Sequence, residues 1–150
     1  MKSKYELSYK VDPKQDCIKF VKSDNQKSFT QHLYDDKVIR GDFCPSLISI
    51  LFNTNNINSA VNCVEKFVQN AKDPSKIQFC IKIDNQKEFV DKFLESLKNF
   101  KSHFIILSSP KGRGYIDLWQ WINFLYKVSS KKSHFFLNIS DEMFVKEKNW

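Results

Sequence analysis

Four short polar segments follow or interrupt the apolar runs of this chain, and they hold the residues that could carry chemistry. They are segments 53–56, 84–86, 108–115 and 140–142. The last contains two adjacent acids, Asp141 and Glu142. A Mg²⁺ or Mn²⁺ ion on a diphosphate takes one or two carboxylates and fills its other positions with water and phosphate oxygens, so this pair is a candidate metal site. A solvated turn or a helix start is the alternative for the same pair.

The second segment begins with Asp84, which ends an apolar run and precedes Asn85. A carboxylate at this position could accept hydrogen bonds from a uracil base or a ribose. It could equally cap the helix that begins near Lys87, because an aspartate oxygen accepts from the free amides of a first helical turn. Both roles are compatible with one side chain.

The segment 108–115 contains two of the three glycines of the chain and one of its two arginines. Glycines such as Gly112 let backbone amides approach an anion closely, and the start of the following helix adds a favourable partial charge. Lys111 and Arg113 would neutralise phosphate. The segment matches neither the NTPase phosphate loop nor the dinucleotide fingerprint. It therefore predicts an anion site of another type, or a plain turn between a strand and a helix.

Apolar residues with two different periodicities alternate from Pro45 to residue 150. Short runs at 47–52, 77–83, 103–107 and 134–139 predict strands, and spacings of three and four residues at 60–71, 89–100 and 116–128 predict helices. Strands that alternate with helices pair in parallel through crossovers, which predicts a doubly wound, mostly parallel, Rossmann-like α/β sheet. Ligands of such sheets bind beyond the carboxyl ends of the strands. The four polar segments are therefore expected to face one crevice.

The third predicted helix contains Trp119 and Trp121, which lie on different faces because they are two residues apart. We predict that Trp119 belongs to the inner, core-facing stripe of this helix. The other tryptophan would then cover a helix interface or a ligand.

Residues 1–44 differ from this pattern. Tyr5, Leu7, Tyr9 and Val11 alternate with polar neighbours, and 17–21 is a second short apolar stretch. These two stretches predict a β-hairpin or ribbon as an N-terminal extension. Residues 45–150 are predicted to form the α/β domain.

The net charge of +7 comes mainly from lysine, since Arg40 and Arg113 are the arginines of the chain. Specific base recognition relies on bidentate arginine contacts, so we expect no specific nucleic-acid binding, although nonspecific binding stays open. No apolar run is long enough to span a membrane, and the first ten residues are polar rather than signal-like. The cysteines form no C-x-x-C pair. We predict a cytoplasmic protein with reduced thiols.

The order of three segments resembles a known family. Segment 48–56 is similar to an opening strand and its turn, 78–85 to a strand that ends in a nucleoside-binding aspartate, and Ser140-Asp141-Glu142 with the later Trp150 to an acidic metal-binding element. Together they resemble the N-terminal half of a GT-A fold glycosyltransferase of the family 2 type. The resemblance covers residues 45–150.

This resemblance implies transfer of a sugar from a nucleotide donor, such as a UDP-sugar, to a hydroxyl acceptor. It implies Mn²⁺ or Mg²⁺ on Asp141 and Glu142, while the remaining candidates would bind the nucleotide sugar. Those candidates are Asn53, Thr54, Asn55, Asp84, Asn85, Gly112 and Arg113. No residue is assigned as the catalytic base, because in this family the base follows the acidic element. A truncated enzyme and a catalytically inactive binding or interaction module both stay open.

Overall fold

The computed structural model describes residues 8–11, 18–22, 47–84, 87–109, 113–130 and 132–150, so the candidates Asn85 and Gly112 lie outside it. The strands are β1 Ser8–Val11, β2 Ile18–Lys22, β3 Ile48–Thr54, β4 Ile77–Asp84, β5 His103–Ser109 and β6 Phe135–Asn138. The helices are α1 Ile57–Asn70, α2 Lys87–Leu97 and α3 Tyr115–Val128, and a short 3₁₀ turn, Pro74–Lys76, precedes β4.

The described strands form one sheet in the order β1-β2-β5-β4-β3-β6. Strands β5, β4, β3 and β6 are mutually parallel, and helices α1, α2 and α3 connect them in chain order. This confirms the predicted Rossmann-like α/β fold. Strand β2 adds to β5 in parallel, and β1 pairs antiparallel with β2, so the N-terminal strands continue the same sheet.

Side chains of each central strand alternate between two apolar layers, because successive residues of a strand point to opposite faces. On one face, Phe52 of β3 and Phe79 of β4 pack with Phe67 of α1 and with α2. On the other face, Leu51 and Cys80 pack against α3. Helices therefore cover the sheet on both sides. These two faces are called the α1 face and the α3 face below.

The helices begin where local hydrogen bonding and backbone freedom allow it. The side chain of Asn56 accepts from the Ser59 amide at 3.1 Å and caps α1. Gly114 precedes α3 with φ of 64°, a left-handed conformation that glycine adopts without the strain of a side chain. Helix α1 begins shortly after the carboxyl end of β3, so the Asn56 cap lies at that end of the sheet.

The prediction for the α3 tryptophans is wrong. Trp121 is 4% exposed and packs in the core with Phe124 and Leu125, whereas Trp119 is 53% exposed. The cause is that apolar side chains surround α3, so its periodicity does not mark one inner face. Within the part of the chain that the structure describes, no helix combines the length and apolarity needed to cross a bilayer.

Strand β6 also differs from its pattern. An apolar run is typical of a strand buried on both faces, yet all four residues of β6 are exposed, Phe135 to 62%. Among the described strands β6 pairs with β3 alone and forms the edge of the sheet. Tyr126 of α3 contacts its Phe136, with ring centroids 4.7 Å apart.

A buried polar cluster holds the segment between α3 and β6 at the amino ends of the strands. The side-chain oxygen of Gln78 accepts from the Ser130 amide at 2.7 Å and from the Ser49 hydroxyl at 3.0 Å. The Ser49 and Ser133 hydroxyls lie 2.6 Å apart. Because β6 follows this segment directly, the cluster sets where β6 joins the sheet.

Candidate functional site

The carboxyl ends of β3 and β6 lie side by side at a topological switch point. From β3 the chain proceeds through β4 and β5 in one direction, then crosses by α3 to β6 on the other side of β3. In sheets of this type the loops diverge at such a point and leave a crevice for a ligand. The candidate residues at 54 and 141 occupy this position.

Thr54 and Asp141 connect the two strand ends. The Thr54 hydroxyl lies 2.7 Å from Asp141 Oδ2 and 2.9 Å from the carbonyl oxygen of Asn56. It also accepts the amide of Asn56 at 3.1 Å. The hydroxyl has one proton, and the charged carboxylate is the stronger acceptor. Thr54 therefore donates to Asp141 and fixes one carboxylate oxygen at the crevice.

The acidic turn after β6 presents its two side chains differently. Asp141 is partly buried against β3, whereas Glu142 is exposed and donates its amide to the Ser140 hydroxyl at 3.2 Å. Asn55, the residue that follows β3, is also exposed. Asp141 is thus the more firmly placed of the two predicted metal ligands.

Cys63 of α1 lies close enough to this turn to respond to its charge. Burial and, as the smaller cause, the negative charge of Asp141 together raise the pKa of the Cys63 thiol to about 12. The thiol is buried and free. Cys63 is therefore an internal reporter of the charge at Asp141.

We expect Cys63 to resist alkylation in the folded protein. A pKa raised from 9.0 to about 12 lowers the thiolate fraction at pH 8 by about a thousandfold, and the thiolate is the reactive form. The measurement is iodoacetamide labelling of a variant with Cys17, Cys44 and Cys80 replaced. Asp141→Asn should speed labelling, since it removes a charge that opposes the thiolate.

The same shift predicts the direction of a pH effect on stability. The folded pKa is higher than the unfolded one, so the contribution of Cys63 is complete below about pH 9 and is lost as the pH rises towards 12. Cys63→Ala should remove that loss. Equal labelling rates of Cys63 in native and urea-unfolded protein would contradict the assignment.

Asp84, at the end of β4, takes part in an ion pair. Lys82 Nζ lies 2.7 Å from Asp84 Oδ1, with side-chain exposures of 6% for the lysine and 14% for the aspartate. The ammonium group is also 5.0 Å from the ring centroid of Trp121, within the range of a cation–π contact. The observed partner of Asp84 is therefore Lys82, and Trp121 of α3 contacts that lysine on its other side.

The two candidate acids share one end of the sheet and point to opposite faces. Lys82 and Asp84 lie on the α3 face with Trp121, whereas Thr54 and Asp141 lie on the α1 face. Strands β4 and β6 flank β3, so the two strands run about 10 Å apart at the usual strand spacing. A ligand that contacts both acids must extend across the end of β3.

Asn53 lies between the two acids. It pairs in register with Lys82, and its side-chain oxygen is buried without a hydrogen-bond partner among the described residues. A buried acceptor without a partner is uncommon in folded proteins. Asn53 is thus positioned by β3 but not engaged by the neighbouring described side chains.

Arg113 is engaged by α3 itself. Its backbone amide lies 2.7 Å from Asp117 Oδ2 and its Nη2 lies 2.8 Å from Asp117 Oδ1. The pKa of Arg113 is raised by this hydrogen bond and charge. Asp117 is buried and the arginine side chain is 68% exposed. One edge of the guanidinium is therefore occupied, and a phosphate would have to approach the other.

Sequence reasoning missed Lys82 and Asp117, the two partners of candidate residues. Both leave a signal in the spacing. Arg113 and Asp117 are four residues apart across the start of a helix, and Lys82 and Asp84 are two apart on one face of a strand. Opposite charges at these spacings could have been recognised as pairs.

The described residues fit a divalent cation only if the ligand supplies part of its coordination. Within 47–84, 87–109, 113–130 and 132–150 there is no group of three or more His, Cys, Asp or Glu side chains arranged around a metal position. Asp141 and Glu142 offer one or two carboxylates, which suits Mg²⁺ or Mn²⁺ bound together with a diphosphate. A high-affinity site without nucleotide is not expected.

Comparison of the chain with protein-family models, curated proteins and solved structures yields no match.

Proposed function

We propose that this chain binds a nucleotide sugar, such as a UDP-sugar, across the carboxyl end of the sheet and transfers the sugar to a hydroxyl acceptor. The observation that carries the proposal is the placement of two carboxylates on either side of β3 at the switch point. Asp84 is held by Lys82, and Asp141 is held by Thr54. A nucleoside diphosphate has a hydrogen-bonding base and ribose at one end and an anion at the other, so its shape suits two separated acids of different roles.

In this proposal each described residue has a distinct task. Asp84 accepts hydrogen bonds from the base or ribose through an oxygen not used by Lys82. Asn53 offers beside it a side-chain oxygen that has no partner among the described residues. Asp141, oriented by Thr54, and the exposed Glu142 hold Mn²⁺ or Mg²⁺. The metal supplies neutralisation of the leaving diphosphate.

The remaining candidates lie at the margins of this arrangement. Asn55 follows β3, and the free edge of Arg113 would approach a phosphate oxygen. The free, buried thiol of Cys63 supports a cytoplasmic setting, because reduced cysteines persist there.

A catalytically inactive nucleotide-binding or interaction module is the second candidate. One observation favours it over turnover. Asp117 already occupies one edge of the Arg113 guanidinium, so less of that group is left for a phosphate. Such a module would bind the nucleotide without transferring sugar.

The test of the proposal is calorimetric titration of UDP in the presence and absence of Mn²⁺. We expect binding that Mn²⁺ strengthens, and we expect Asp141→Asn to abolish this strengthening while uridine binding is retained. Asp91→Asn, at an exposed carboxylate of α2, is the matched control and should bind like the wild type. A folded protein that gives no heat with UDP at millimolar concentration would rule the proposal out.

Hydrolysis or transfer assays with UDP-sugars then separate the two candidates. Release of UDP that depends on Mn²⁺ and on Asp141 supports an enzyme. Nucleotide binding without UDP release from any donor supports the inactive module.

A further inference from the structure

Helix α3 has a second apolar face, which points away from the sheet. Tyr115, Trp119, Ile122 and Tyr126 follow one another at spacings of four, three and four residues, so they share one side of the helix. Tyr115 is 92% exposed, Trp119 53% and Tyr126 43%, while Ile122 is half-buried. At the helical rise, these side chains form a row about 17 Å long.

The shape and composition of this row indicate the kind of partner it fits. Single exposed apolar side chains are ordinary, but contiguous ones mark a contact surface. Ile116, which is 64% exposed, adds an aliphatic side chain next to the start of the row. Tyrosine and tryptophan combine an apolar ring with a polar group and are enriched where a bilayer meets water. A convex helix surface can enter a planar lipid interface without a matching groove.

The part of the chain that contains α3 also holds most of the positive charge. Residues 101–140 contain six basic residues and one acid, Asp117, and so account for +5 of the net charge of +7. Asp117 is buried and pairs with Arg113. Five of the six basic residues are lysines, which attract an anionic surface without the bidentate geometry that base recognition uses. Charge complementarity therefore favours an anionic lipid surface.

We propose that the outer face of α3 docks on an anionic lipid surface, with the helix axis parallel to the membrane plane. The three aromatic rings of the row enter the interface, and Lys127 and Lys132 remain among the headgroups. Helix α3 has 14 residues, fewer than the roughly 20 that a membrane span needs, so it lies on the bilayer. This docking goes beyond the proposed sugar transfer and requires neither nucleotide nor metal.

Co-sedimentation of the full chain with lipid vesicles, in EDTA and without nucleotide, tests the proposal. We expect binding to phosphatidylcholine vesicles that contain about 30% phosphatidylserine, and binding at least about tenfold weaker to phosphatidylcholine alone. Replacing Lys127 and Lys132 together by glutamine should weaken binding to the anionic vesicles by at least about tenfold, since each lysine near the surface contributes to the attraction.

A matched pair of lysines controls for net charge. Lys66 and Lys92 are exposed on α1 and α2, which cover the opposite face of the sheet. Replacing both by glutamine lowers the net charge by the same amount but leaves the α3 face intact. Binding should stay within about twofold of the wild type, because screening limits the attraction of distant charges.

The aromatic row is tested separately from the charge. Trp119→Ser should weaken vesicle binding by about tenfold, because it removes a large ring from the lipid interface. Phe144→Ser is the matched control, since Phe144 follows β6 and is 54% exposed, similar to Trp119. The control should bind like the wild type, and circular dichroism checks that both variants are folded.

Wild-type protein that stays in the supernatant with every vesicle composition would overturn the proposal. Equal losses of binding in the α3 variants and in their controls would overturn it as well. If the protein ignores vesicles but uses Trp119 to bind a single-stranded oligonucleotide or to dimerise, this face belongs to a nucleic acid or to a second copy of the chain instead.

Discussion

Replacing Asp84 by alanine should lower the free energy of unfolding by about 3 kcal/mol, because it leaves a buried ammonium group without its counter-ion. Lys82 is 5% exposed as a residue, and its Nζ has Asp84 Oδ1 at 2.7 Å and the Trp121 ring as close partners. The ring attraction alone is worth about 0.5–2 kcal/mol and does not replace the carboxylate. Urea or thermal unfolding measures the change.

A double-mutant cycle separates the pair from its surroundings. Lys82→Met should cost less than Asp84→Ala, since methionine fills the same space without a charge, and the aspartate is nearer to solvent. The double variant should be more stable than the sum of the single effects predicts, by about 1–3 kcal/mol. Asp91→Ala, at an exposed site on α2, is the control for loss of a carboxylate. A cost for Asp84→Ala no larger than that of the control would contradict a buried pair.

Gln78→Leu should destabilise the protein by about 2–3 kcal/mol, since it leaves buried donors without an acceptor. The Gln78 oxygen accepts from the Ser130 amide and from the Ser49 hydroxyl, and all three residues are fully buried. Leucine has a similar volume, so the cost would reflect lost hydrogen bonds more than a cavity. Chemical unfolding measures the stability.

The effect should concentrate at the α3–β6 connection. Faster hydrogen exchange of the Ser130 amide in Gln78→Leu, beyond that expected from global destabilisation, would locate the lesion there. Gln69→Leu is the matched control, because Gln69 lies exposed on α1 and bonds only Glu65 among the described residues. If both variants unfold at the same urea concentration as the wild type, the cluster around Gln78 does not hold this segment.

The candidate site was only partly predictable from local sequence. Asp84 and Asp141 could be placed at strand ends because the apolar runs that predict these strands, 77–83 and 134–139, stop just before them. Their separation onto two faces of the sheet could not be predicted in the same way. It depends on the exact residue at which β4 and β6 enter the sheet. A register shift of one residue moves every side chain of a strand to the opposite face.

The α3 helix marks a second limit. Trp119 and Trp121 have the same side chain and similar neighbours, and the apolar residues around α3 indicate no single inner face. The choice of Trp121 for the core follows from its packing on Leu51, Cys80 and Lys82 of the strands beneath the helix. Those contacts join residues far apart in the chain, so no local pattern contains them.

The number and order of the central strands and helices follow from local sequence, since periodicities of two and 3.6 residues depend only on neighbouring positions. Three features arise from the folded chain: the contact of Thr54 with Asp141, the pairing of Lys82 with Asp84, and the exposed position of β6 at the edge of the sheet. Strand order and register depend on long-range packing, and this packing joins Thr54 to Asp141 across 87 positions of the chain.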